Sequence, residues 1–122
     1  MRIFKGNWFS HFAKKEKISD KTLNIISKEL DQGHFDADLG GGVIKQRLAR
    51  PGGGKSGGYR LIICFRKGEL TFFIYAYPKS SLANINATDL KNYKKLARHI
   101  LSMTTEQLEM LIESGDFQEI TR

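Results

Sequence analysis

Residues 40–66, GGGVIKQRLARPGGGKSGGYRLIICFR, constrain this chain more than any other stretch. They read as two strands joined by a Gly-rich loop. In the first arm Ile44 and Leu48 point one way and Lys45 and Arg47 the other, the period of two that a half-buried strand requires. The second arm, residues 59–65, is apolar on both faces in its middle, as a central strand should be, and Arg60 and Arg66 mark its ends. The expectation is a sheet with cations on one surface and a core on the other.

The remaining segments supply helices. Trp8, Phe9, Phe12 and Ala13 fall at helical spacing, with Lys14, Lys15 and Lys17 on the other side, so this aromatic stripe is read as core rather than as a base-stacking platform. Ser19 or Asp20 caps a second helix whose buried stripe is Leu23, Ile26 and Leu30, and Gly33 stops it. Residues 34–42 form a connection, in which Asp36 and Asp38 are read as bonding backbone amides rather than holding a metal. Lys67-Gly68 predicts a tight turn flanked by the opposite charges of Arg66 and Glu69. A third strand, LTFFIYAY, follows over residues 70–77 and ends at Pro78. Its strict alternation places Thr71, Phe73, Tyr75 and Tyr77 on one face and Leu70, Phe72, Ile74 and Ala76 on the other. Thr88-Asp89 opens a third helix, and Thr104 with Gln107 makes a capping box for a fourth, ended by Gly115. Residues 2–4 are read as an edge strand and residues 117–120 as a short final one. The expected fold is α+β: two N-terminal helices, a twisted antiparallel sheet of three to four strands, then C-terminal helices, all in one domain over residues 1–122.

With 20 Lys and Arg against 13 Asp and Glu, the net charge is +7 and the isoelectric point near 9.6. So basic a small domain points to a polyanionic partner, either nucleic acid or an acidic protein. Cys64 lies in an expected core strand, so it is read as a buried thiol in a reducing compartment, and the absence of a signal peptide or long apolar run places the protein in the cytoplasm, off the membrane.

Gly54-Lys55-Ser56 is similar to the end of a phosphate-binding loop, but Ala49 stands where the first glycine belongs and the run leads into a strand instead of a helix. His11, His34 and His99 lack zinc spacing, and one cysteine makes no thiolate site, so neither a metal nor another cofactor is expected. What remains is a cationic constellation of Lys45, Arg47, Arg50, Lys55, Arg60 and Lys79, with Tyr59 and Ser80 nearby. Guanidinium and ammonium groups converging on one phosphodiester stabilise the extra charge of its transition state without a metal. A solvated basic strand face is the alternative reading of the same residues.

Residues 36–80, DADLGGGVIKQRLARPGGGKSGGYRLIICFRKGELTFFIYAYPKS, resemble the RelE/HigB toxins of bacterial type II toxin–antitoxin systems, in particular the HigB-like branch with the loop GKxGGYR. The resemblance implies a ribosome-dependent endoribonuclease that cuts messenger RNA in the A site, with the messenger's own 2′-hydroxyl as nucleophile. It implies Lys45, Arg47, Arg60 and Lys79 as catalytic residues. Arg50, Lys55, Tyr59 and Ser80 become ribosome or messenger contacts. The implied partners are the ribosome, messenger RNA and a cognate antitoxin of the HigA kind, often with a helix-turn-helix. An acidic segment of that antitoxin is expected to offset the charge of +7. No tyrosine stands at residues 82–85, where RelE members carry one. The related ParE branch, which inhibits DNA gyrase, and a plain RNA-binding module are the competing readings.

Overall fold

The computed structural model describes residues 1–50, 58–78 and 85–120. Its element order is β1 (Arg2–Gly6), α1 (Asn7–Lys15), α2 (Asp20–Asp31), β2 (Ala37–Gly40), β3 (Val43–Leu48), β4 (Tyr59–Arg66), β5 (Leu70–Pro78), α3 (Ala87–Ile100), α4 (Thr105–Ser114) and β6 (Phe117–Glu119). The strands form a single sheet in the order β2-β3-β4-β5-β1-β6. All pairings are antiparallel except that of β1 with β5.

The α+β class and the order of helices are those expected from the sequence. The sheet is larger, with six strands, and it is mixed. The first strand is not an edge. It lies between β5 and β6, with Ile3 and Phe4 buried on opposite faces, and two consecutive buried residues are what a strand covered on both sides requires. Residues 37–40 carry no run of strand formers, yet they pair with β3 because Gly41 and Gly42 both take positive φ, +62° and +85°, as a two-residue hairpin turn demands.

Each face of the sheet has its own core. On the first, Ile3, Ile44, Leu61, Ile63 and Phe73 pack against Phe9 and Ala13 of α1 and Leu23, Ile26 and Leu30 of α2. On the second, Phe4, Val43, Ile62, Cys64 and Phe72 pack against Ala97 and Ile100 of α3 and Leu108 of α4. The expected open cationic surface is therefore covered over much of its length by a helix, and the cations occupy its end. The cause lies in the middle of β4, where Leu61, Ile62, Ile63 and Cys64 are all fully buried and need apolar cover on both sides.

Most helix ends follow the sequence signals. The Ser19 hydroxyl accepts from the Thr22 amide, and Thr104 and Gln107 cap each other reciprocally. Helix α3 begins one residue before Thr88, capped by Asn86, whose side chain accepts from the Asp89 amide at 2.7 Å. Gly33, Gly68 and Gly115 all take the left-handed conformation at the expected stops and turn.

Candidate functional site: a cationic row at the end of the sheet

Two registers build the site. Arg47 pairs with Arg60, and Arg60 in turn with Tyr77, so these three residues form one row across β3, β4 and β5. The neighbouring row is Lys45, Ile62 and Tyr75. Period-two alternation sends Lys45, Arg47 and Arg60 to the face carrying Val43, Ile62 and Cys64, as the sequence indicated.

The alternation expected for β5 does not survive intact. Ile63 pairs with Phe73 but Ile62 pairs with Tyr75, so Ile74 is an extra residue in a β-bulge. Beyond it the parity reverses. Ala76 joins Phe73 in the first core, and Tyr77 joins Phe72 on the second face. Without the bulge Tyr77 would point towards α1 and α2. With it, the phenol stands beside Arg60.

Like charges directly opposite on neighbouring strands destabilise a sheet, and Arg47 and Arg60 are such a pair. Arg47 is compensated. The Asp36 carboxylate accepts from its backbone N–H at 2.5 Å and lies 3.6 Å from its Nε, although the side chain stays 64% exposed. Asp38 accepts from the Gly40 amide at 2.9 Å. Both carboxylates thus bond backbone amides, as the turn reading expected. Arg60 has no such compensation: it is half-buried, and its Nη1 is shut off from solvent with no hydrogen-bond partner among the described residues. The side chain of Lys45, half-buried one row away, makes no ion pair or hydrogen bond among the described residues either.

Tyrosines close the site on its β5 side. Burial pushes the Tyr77 phenol above its ordinary pKa, and the charge of Arg60 partly opposes the rise. Tyr93 reaches over from α3, its ring 6.4 Å from that of Tyr75, and burial pushes its pKa up to about 12. Tyr75 also packs on Trp8 at 4.4 Å. The stripe on α1 is accordingly core at Phe9 and Ala13, with Phe12 packed against it, whereas Trp8 is 47% exposed and leans on this edge.

Tyr59 and Arg50 lie elsewhere. Tyr59 is next to Arg60 in sequence and so on the opposite face of the strand, only 2% exposed within the first core. Its hydroxyl donates to Glu16, and Arg50 stacks on its ring at 5.4 Å with Nε 3.3 Å from the hydroxyl. The structure therefore corrects the picture of Tyr59 as a surface contact near Arg60. It is a buried post that ties Arg50 to the end of α1. Lys55, Lys79 and Ser80 lie outside the described residues. The sequence reading missed Tyr77 and Tyr93. The Lys67-Gly68 turn alone would have set Arg60 opposite Ala76, and only the bulge brings Tyr77 into line.

The fold and this row define a small basic α+β protein with an unpaired, half-buried guanidinium at the end of its sheet. Residues 1–120 match the family model described as RelE toxin of RelE / RelB toxin-antitoxin system, and the chain belongs to that family. It is thus a toxin of a toxin–antitoxin system, with an antitoxin as partner. No curated protein matches it in sequence. No helix among the described residues is long and apolar enough to cross a membrane, and they contain no cluster of metal-binding side chains.

Proposed function

We propose that the protein is a ribosome-dependent endoribonuclease that cleaves messenger RNA in the A site without a metal. One observation carries the reading: the half-buried Arg60, set opposite a second arginine, keeps an unpartnered Nη1 on the face it shares with Lys45 and Tyr77. A buried cation without a counter-charge is costly. A phosphodiester at the exposed part of the Arg60 side chain supplies the charge.

In this reading the messenger's 2′-hydroxyl gives up its proton to solvent water as its oxygen attacks the adjacent phosphorus, and the bond from phosphorus to the 5′-oxygen breaks. The products are a 2′,3′-cyclic phosphate and a free 5′-hydroxyl. Arg60 and Arg47 hold the non-bridging oxygens, whose charge grows in the transition state. Lys45 lies towards the 2′-oxygen. The Tyr77 phenol, kept protonated by burial, gives its proton to the departing 5′-oxygen. Lys79 is proposed to complete the cationic ring. Arg50 and Lys55, together with Ser80, would contact the ribosome or messenger, and the protein acts in the cytoplasm with a HigA-like antitoxin.

The test is inducible expression in bacteria with mapping of messenger 5′ ends, wild type beside Arg60→Ala. Cuts within translated messages should appear with the wild type. They should fall about 10²–10³-fold in the variant, the usual loss for one donor to a developing negative charge. Growth arrest without cuts would overturn the proposal in favour of gyrase inhibition. Tyr77→Phe should slow cleavage while leaving ribosome binding intact. Because the phenol's pKa lies above its ordinary value, wild-type activity should show no alkaline fall below about pH 9.

A further inference from the structure

The cations of α3 form a second basic surface. One groove of about 420 Å³ lies between the β2–β3 turn and the C-terminal half of α3. It is lined by Gly41, Gly42, Ala97 and Leu101, with Lys94, Arg98 and Arg66 around them. A second, of about 450 Å³, continues along the helix past Leu90, Lys91 and Lys95 and shares Lys94 and Arg98 with the first. Together they follow the whole of α3, from Ala87 to Ile100, roughly 20 Å at 1.5 Å per residue. The Lys94 stem lies against Gly40 and Gly41, where no side chain stands in its way.

This surface starts at the Val43 end of β3, whereas the cationic row is at the Arg47 end, about 13 Å along the strand. It combines two features that select a partner. Its cations call for acidic groups. Its apolar side chains are the aliphatic Ala87, Leu90, Ala97 and Leu101; Phe65 also borders the groove, but its side chain packs against the first core on the opposite face of the sheet and offers no ring here on which a base could stack. Exposed aromatics are found instead at Phe35 and on the Trp8–Tyr75 edge. We propose that this groove receives an acidic, amphipathic segment of the antitoxin, with leucine-like side chains against Leu90 and Leu101 and carboxylates on Lys91, Lys94, Lys95 and Arg98.

The inference rests on membership in a toxin–antitoxin family and stands whether or not the chain cuts RNA. The test measures affinity for the antitoxin co-expressed from the toxin's own operon, at low salt. Wild type is compared with Lys94→Glu/Arg98→Glu, with Lys91→Glu/Lys95→Glu and with Arg60→Ala. Binding of a labelled single-stranded RNA is measured in parallel. Both charge-reversed variants should lose at least about tenfold in antitoxin affinity with unchanged melting temperature, and Arg60→Ala should lose none. The second pair is exposed, so it decides the matter if the first perturbs folding. Unchanged antitoxin affinity in a folded variant overturns the proposal. So does a loss confined to RNA binding, which would make this an RNA surface, or a loss in Arg60→Ala, which would seat the antitoxin on the cationic row. A wild type that makes no cuts removes the nuclease reading and leaves the affinity result as it is.

Discussion

Thr71 sits on β5 within the first core, fully buried, its hydroxyl 2.8 Å from that of Ser27 and donating to Met1 Sδ at 3.4 Å. Thr71→Val should cost about 1–3 kcal/mol in urea unfolding, since Ser27 is left without its partner, and adding Ser27→Ala should recover part of that loss. The Cys64 thiol, its pKa pushed up to about 12 by burial, should resist alkylation at pH 8 in the native protein and react once it is unfolded. At this scale the sequence was readable where the rule is local. Lys45 and Arg47 share a face because they are two apart in a strand. By the same rule Tyr59 and Arg60 cannot share one, and their adjacency in the GYR signature is a separation in space. The unpartnered Nη1 of Arg60 left no trace in the sequence, because it depends on what the other strands and α3 do not offer it.

Helix ends were legible because each is settled within four residues, as at Ser19–Thr22 and Thr104–Gln107. Thr104→Ala should lower stability by about 1 kcal/mol in the same unfolding assay. Strand partners were harder to read. Arg2 finds Leu70 and Phe4 finds Glu119, contacts for which no local pattern exists. The bulge at Ile74 was equally hidden, since LTFFIYAY alternates acceptably in either phase. Gly42 shows how tightly two elements are joined at the β2–β3 turn. A Cβ there would meet Leu101 Cδ1 at 2.6 Å, in a backbone already at φ +85°. Gly42→Ala should destabilise the protein by about 1–3 kcal/mol through strain and displacement of the α3 terminus, read as a lowered melting temperature.

For the whole molecule, charge was the most readable property and its layout the least. Composition gave +7, but only the fold divides the cations between the Arg47–Arg60 row and the length of α3. The N-terminal strand binds the layers together: Phe4 stacks on Phe72, and Arg2 bonds both carboxylate oxygens of Glu119 at 2.8 Å and reaches Glu109 at 2.9 Å. A chain lacking residues 1–6 should show no cooperative unfolding and no effect on growth when induced. The order of synthesis gives this strand a further meaning. Arg2 is synthesised well before its partners: the strand it joins does not begin until Leu70, and its carboxylate partners come later still. A nascent chain therefore cannot close its sheet until β5 and β6 have followed β1, and a chain arrested before Leu70 holds no complete sheet.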